Sequence, residues 1–462
     1  MMRKKLLALL LVVSMMILPT GCGLSGKEVT PPPTTPTPTP TTETQTEAQT
    51  AEESNANSQE KAYDSTNDSS YLSQYFNINL KDNITDVATF TDGLKKLVGD
   101  NEDAPKFSTS DEGNPTIAID GKLTGLKAIK AGVIAANFGE LALTYPEEKT
   151  VNCLKENQID IEPDNEYGAY LACAIDTELI TPKEAAVYAM DEDVTKDETA
   201  KLFMKIASAN GLARNFLGYS SDEDIYGKLD NAWNSFIMMD DKKLSEIGKN
   251  AVQQGITTGY NLKSDAYNAR FLPELTLQYG HSVIKHAHQL IGLLNSEGIV
   301  AKVQLEPKTS VYEYLLEWGP IPEATPIYEV KQYDDLYLVN AVEYDLELEF
   351  ENKEDMLAFD ELVQAYAKKN EGNEEAKGLL ASSWWQPLYS TTMEDMPKDA
   401  YDQIYDCIIT DENYSFHSFC LPTDLDKVTK DLGKLSDGLE IKPVKRYCNL
   451  AFYNYLTGDD YQ

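Results

Sequence analysis

The chain has 462 residues, with 76 Asp and Glu against 40 Lys and Arg, a formal charge of −36. That excess of anions excludes sequence-independent binding to DNA or RNA, which needs cations to displace phosphate counterions, and it disfavours adsorption to anionic headgroups. Hydrophobic residues make up 42% of the chain and aromatics 10%, so most of it can bury a core and disorder of the whole is excluded; the length suggests roughly two to four domains.

Arg3, Lys4 and Lys5 precede an apolar run from Leu6 to Leu18. The run is short for a membrane span and has the form of an export signal. It ends in Leu18-Pro19-Thr20-Gly21-Cys22. Small residues directly before a cysteine resemble the lipobox of bacterial lipoproteins, with Pro19 where that family usually has Leu. The resemblance implies that residues 1–21 are removed and that Cys22 becomes a diacylated first residue. The chain would then sit on the outer face of the cytoplasmic membrane of a Gram-positive-type cell. Two acyl chains suffice for stable anchoring. Loss of Arg3, Lys4 and Lys5 takes the formal charge from −36 to −39.

Residues 22–70 form the next segment, rich in Thr, Pro, Gln, Glu, Ser and Asn and without apolar periodicity. Such a composition cannot offset its ordering entropy by burial, so a disordered tether is expected. Its Pro-rich half is extended at about 3.1 Å per residue, and the whole reaches up to roughly 140 Å.

Residues 71–318 read as mainly helical. Apolar residues recur at three- and four-residue spacing over 91–99, 124–145, 166–180, 197–212 and 282–299, and in the segment ending at Gly255. Thr195-Lys196-Asp197-Glu198 and Thr181-Pro182-Lys183-Glu184 are capping boxes. A Leu or β-branched residue followed by Thr is read as a helix opening at Leu123-Thr124, Val194-Thr195 and Leu275-Thr276, at spacings of 71 and 81 residues. The turn Gly255-Ile256-Thr257-Thr258-Gly259-Tyr260, the loop Phe271-Leu272-Pro273 and the opening Val194-Thr195-Lys196-Asp197-Glu198 resemble elements of the S-layer homology repeat. The resemblance implies three repeats packed as a pseudo-threefold bundle. Its grooves would bind an anionic cell-wall polymer through the basic residue after the Thr. Thr195, Lys196, Glu198, Thr257 and Gly259 are the polymer-binding candidates on that basis. Only Lys196 is cationic at its position; Gly125 and Leu277 stand there in the other two repeats.

Other chemistry is sparse. Asp191-Glu192-Asp193 and Asp222-Glu223-Asp224 are read as solvated loops with at most weak Ca2+ affinity, and no other cofactor or metal is expected. His281, His286 and His288 lack the HExxH arrangement. The segment 285–303 is similar to the helix and strand of transglutaminase-like cysteine proteases. The nucleophile position there is Val283, so the resemblance implies at best a catalytically dead module around 281–345, or a hydrolase of another kind. With Cys22 lipidated, Cys153, Cys173, Cys407, Cys420 and Cys448 remain; Cys407 and Cys420 fall on adjacent expected strands and could pair. Phosphate-binding and nucleophile-elbow motifs are absent.

Gly319, Pro320, Pro322 and Pro326 mark a boundary. Beyond it, alternation over 335–351, an amphipathic helix over 353–370, a hairpin around Asp411-Glu412-Asn413, a helix over 423–438 and a strand from 439 give the order β-α-β-β-α-β. The expectation is therefore an α+β protein: a mainly helical S-layer-homology-like repeat region, then a ferredoxin-like domain over 319–462. Trp318, Trp384 and Trp385 are either core-edge residues or a glycan-stacking surface. The expected role is non-catalytic binding of a wall polymer or an envelope protein, without nucleic acid.

Overall fold

A computed structural model describes residues 66–99, 104–107, 115–161, 165–366, 397, 400–436 and 438–459. The signal, Cys22, the tether, Trp384 and Trp385 lie outside the described residues.

Helices come first: α1 (Thr66–Phe76), α2 (Val87–Val98), α3 (Gly125–Ala135), α4 (Gly139–Leu143), α5 (Glu147–Glu156), α6 (Gly168–Asp176), α7 (Pro182–Ala189) and α8 (Lys196–Ala209). Their starts follow the local chemistry. Asp86 accepts the Thr89 N–H at the head of α2, and both expected capping boxes close, at Thr181 and Thr195. Each side chain satisfies an amide that the first helical turn leaves without a partner. In α3 only Lys127 and Lys130 escape burial, which makes it the centre of this layer. Phe90 of α2 and Phe203 of α8 pack their rings at 5.0 Å against it.

The remaining elements are β1 (Gly218–Tyr219), α9 (Ile225–Ser235), α10 (Lys242–Gln253), β2 (Gly259–Ser264), β3 (Thr276–His281), α11 (Lys285–Ser296), β4 (Ala301–Glu313), β5 (Tyr328–Tyr333), β6 (Leu336–Phe350), α12 (Lys353–Tyr366), β7 (Tyr401–Asp411), β8 (Tyr414–Cys420), α13 (Leu425–Gly433), β9 (Ile441–Asn449) and α14 (Leu450–Thr457). The protein is thus mixed α+β, as expected. The strands form one curled antiparallel sheet in the order β3-β6-β4-β2-β8-β7-β9, with β1 added to β4 and β5 to β6.

Residues 71–318, read as a mainly helical region, also contribute β1 to β4 to the sheet, and two further findings differ from the sequence reading. Thr276 begins β3 and opens no helix. The residues Thr276-Leu277-Gln278-Tyr279 alternate, with Leu277 and Tyr279 packed in the apolar core and Gln278 turned to the other face toward Glu347. The β-α-β-β-α-β order of 336–449 is present, but β4 and β2 lie between β6 and β8, and β9 pairs with β7. The boundary expected at 318/319 falls between β4 and β6, neighbouring strands paired from Ala301↔Phe350 to Glu313↔Leu338.

The two longest strands, β4 and β6, are buried on both faces over most of their length. On one, Val303, Leu305, Leu346, Leu348 and Phe416 meet α9, α10, α11, α12 and α13. The opposite face carries charge, and it organises the rest of the molecule.

Candidate functional site

The first place of interest is the meeting of three helix openings. The backbone of Ile84 bridges to Thr195, and Thr124 bridges to Asp193. Thr85 N–H donates to Val194 O at 2.9 Å, Lys196 N–H to Asn83 O at 2.8 Å and Gly125 N–H to Glu192 O at 3.0 Å. Thr199 Oγ1 donates to Thr85 Oγ1 at 2.8 Å inside the cluster. Ile84-Thr85-Asp86, Leu123-Thr124-Gly125 and Val194-Thr195-Lys196 therefore sit side by side, each at the head of a helix. The first was missed in the sequence; its signal was an Ile-Thr-Asp directly before the apolar period of α2.

Thr195 and Glu198 are committed to the capping box: Thr195 N–H donates to Glu198 Oε2 at 2.7 Å, and Glu198 N–H to Thr195 Oγ1 at 3.2 Å. Lys196 is half-buried and makes no ion pair among the described residues. Gly259 begins β2 and Thr257 lies in the turn before it, where Thr257 Oγ1 donates to Gly259 O at 2.6 Å and accepts from Ser418 Oγ at 2.9 Å. The five candidates thus divide between the helical layer and the sheet. The acidic loop is also engaged: Asp191 Oδ1 accepts the Leu126 N–H and Asp193 pairs with Lys122. In the second, Asp222 accepts the Tyr219 N–H and pairs, like Asp224, with Lys228. No group of three or more His, Cys, Asp or Glu placed to hold a metal ion occurs among the described residues.

The second place is the charged face of the sheet. Cross-strand partners share a face, so Lys302, Gln304, Glu306 and Lys308 of β4 stand with Asp345, Glu347 and Glu349 of β6 and Lys263 of β2. The pattern looks solvent-facing, yet Lys308 is 2% exposed, Asp345 0% and Glu349 1%. The covering layer is the connection between β2 and β3. Ala269 N–H donates to Glu306 Oε1, Leu272 N–H to Glu349 Oε2 and Gln304 Nε2 to Tyr267 O, at 2.6, 2.6 and 3.2 Å. Arg214, just beyond α8, reaches Glu349 at 2.7 Å while its guanidinium lies 4.1 Å from the ring centroid of Tyr71 in α1.

Lys308 and Lys263 bind the two oxygens of Asp345 at 2.7 and 2.6 Å. Burial pushes this carboxyl up, but the two ammonium groups pull it well below the usual carboxylate range. Glu347 goes the other way: burial raises it, and the neighbouring Glu306 adds to the rise. One carboxylate is thereby kept ionised and another biased toward its neutral form within a few residues of β6.

Further along the same face, His417 Nδ1 lies 2.9 Å from Asp406 Oδ2, and its Nε2 lies 2.9 Å from Ser415 Oγ. Arg446 Nε donates to the same Asp406 oxygen at 3.2 Å.

At the head of α11, where the transglutaminase resemblance places a nucleophile, Val283 is exposed and carries no thiol. Around it are His281 and His286, stacked at 3.9 Å, and Tyr344, whose hydroxyl donates to Val283 O at 2.9 Å. Ser282 and Val283 N–H donate to His281 Nδ1 at 2.8 and 3.0 Å. Burial lowers His281 to about 3 and His286 to about 4. His288 points elsewhere and pairs with Asp230. All five described cysteines are buried and free; Cys407 and Cys420 approach to 3.8 Å between sulfurs. Trp318 stacks edge-on against Tyr314.

Comparison with known protein families, curated proteins and solved structures yields no match. No helix among the described residues is long and apolar enough to cross a membrane.

Two outcomes follow from these buried groups. Lys308→Met leaves Asp345 buried with Lys263 alone, and denaturant titration should show a loss of about 3–5 kcal/mol; adding Asp345→Leu should restore much of it. For the histidines, the folded chain holds both imidazoles neutral where the unfolded chain protonates them, below about 6.5. The unfolded state then binds more protons, so stability falls as pH drops from about 6.5 toward 4. Glu347 titrates with the opposite sign, so the readout is a difference: urea midpoints of His286→Phe should fall less steeply across that window than those of the wild type.

Proposed function

We propose that the chain is an exported, lipid-anchored envelope protein. Its helical layer binds an anionic wall polymer or an envelope protein, and its tether sets the height above the membrane. The observation that carries this reading is the meeting of the Ile84-Thr85, Leu123-Thr124 and Val194-Thr195 helix openings at one centre. Two of these helices open on Thr124 and Thr195, and the third opens on Asp86, directly after Thr85; three helix openings sharing a centre is the arrangement that the resemblance to S-layer homology repeats implies. Ile84-Thr85-Asp86 takes the place of Leu275-Thr276 as the third opening.

The chemistry of recognition follows from the residues there. A phosphate or carboxylate polymer needs a cation with donors beside it. Lys196 supplies the cation, half-buried and outside any ion pair among the described residues. Val87 and Gly125 are the first residues after the caps of the other two helices, so the centre offers one anchor where three cations would bind more tightly. With the chain at −39 once Arg3, Lys4 and Lys5 are removed, the surrounding field opposes an anionic ligand. Binding is therefore weak and depends on Lys196, or is reinforced by Ca2+ bridging two acidic partners.

The test is retention of the purified chain, freed of its first 22 residues, on isolated wall sacculi. The reading expects retention that Lys196→Ala reduces about ten-fold or more, the scale of one charge-assisted hydrogen bond. No retention with or without Ca2+ contradicts polymer binding; retention only on sacculi that keep their proteins assigns a protein partner. In cells, Cys22→Ala should move the chain from the membrane fraction to the medium.

A further inference from the structure

Successive residues of a strand face opposite sides, so Ser415 and His417 of β8 share the charged face. Asp406 stands on the same face of β7, and Arg446 approaches from β9. These side chains form a directed chain of hydrogen bonds. Asp406 is held ionised: burial pushes its carboxyl up, but His417 and Arg446 pull it below the usual range. An ionised carboxylate only accepts, so it fixes the imidazole proton on Nδ1. In the neutral imidazole Nε2 is then left to accept, and the Ser415 hydroxyl stands 2.9 Å away, placed to donate to it.

Exposure grades along the relay in the order that nucleophilic catalysis requires. Ser415 is partly exposed next to the β7–β8 turn, His417 is 8% exposed and Asp406 is 1% exposed. Serine, imidazole and buried carboxylate in this connectivity recur on unrelated folds and are recognised by geometry and role, not by chain order. Neither the export signal nor the helix openings account for this arrangement.

We propose that Ser415, His417 and Asp406 form an acyl-transfer site for small carboxylic esters, with Ser415 as the nucleophile. Ser415 Oγ attacks the ester carbonyl carbon while its proton passes to His417 Nε2. The tetrahedral adduct collapses, the bond to the leaving oxygen breaks, and that oxygen takes the proton from Nε2. Water then attacks the acyl-serine carbonyl, gives its proton to Nε2, and Ser415 Oγ departs with that proton as the acid is released. Asp406 stabilises the transient imidazolium and does not itself become protonated. Arg446 is a positioning residue that holds Asp406. Lys263 stands directly opposite Ser415 on β2, but its ammonium is engaged by Asp345 and Glu306. Stabilisation of the oxyanion is correspondingly modest, so covalent capture is a more sensitive readout than turnover.

The site lies on the sheet, and its test is independent of wall binding by the helical layer. The purified full-length chain is treated with a fluorophosphonate probe and mapped by peptide mass spectrometry, and is assayed in parallel on p-nitrophenyl acetate. The wild type should be labelled at Ser415 and should hydrolyse the ester. Ser415→Ala should lose both while keeping its circular dichroism spectrum. His417→Gln should slow labelling by about 10²–10⁴-fold, the usual contribution of a general base. A natively folded wild type left unlabelled at Ser415, or hydrolysis persisting in Ser415→Ala, overturns the proposal. The relay would then be a strut that clamps β7, β8 and β9.

Discussion

Glu349 is the interaction on which the arrangement of the molecule turns. Its carboxylate accepts from the Leu272 N–H, the Arg214 guanidinium and the Lys302 ammonium at 2.6–2.7 Å. Each partner comes from a different part of the chain: the connection between β2 and β3, the exit from the helical layer and the neighbouring strand. Tyr75 of α1 adds a bond to Phe271 O at 2.5 Å, and Arg214 lies over Tyr71. A buried carboxylate with a single partner would be costly; one with three donors, two of them cationic, is not. The helical layer is thus fastened to the sheet by a charge that cannot be released without leaving it stranded.

The same constraint explains why the sheet carries charge on a buried face. The β2–β3 connection crosses that face with backbone amides that must be satisfied, and Glu306 and Glu349 accept them. Lysines 263, 302 and 308 then neutralise the carboxylates. Such a network selects one register for β4 against β6, because a slip by one residue would carry every charge to the apolar side. The Ser415–His417–Asp406 relay continues this face toward β9. Where the contacts of Glu306 and Glu349 end at backbone amides, its chain of hydrogen bonds ends at the side chain of the partly exposed Ser415.

What the sequence disclosed was local. The capping boxes at Thr181 and Thr195, the apolar periods of α2, α3 and α8 and the alternation of β6 are each set by neighbours a few residues away. The segment Thr276–His281 was misread as a helix because six residues hold too few periods to separate the two patterns, and a preceding Leu-Thr suggested a cap. Alternation was read over 335–351 while 301–313 was placed in the helical region; the burial of the polar residues of β4 and β6 comes from Ala269, Leu272 and Arg214, which no local pattern announces. The helix opening at Ile84-Thr85 was readable but lay outside the spacing chosen for the repeat. Ser415 and His417 were both within an expected hairpin, and an i, i+2 pair on a strand places them on one face. That Asp406 would lie within 2.9 Å of His417 depended on the register of β7 against β8.

The charged face joins the helical layer and the sheet through Glu349. Hydrogen–deuterium exchange of the wild type and Glu349→Gln tests it directly. Glu349→Gln should exchange faster at two places together, the β2–β3 connection around residues 267–275 and α1 at residues 66–76. Faster exchange confined to the connection, or no change in either segment, would contradict it.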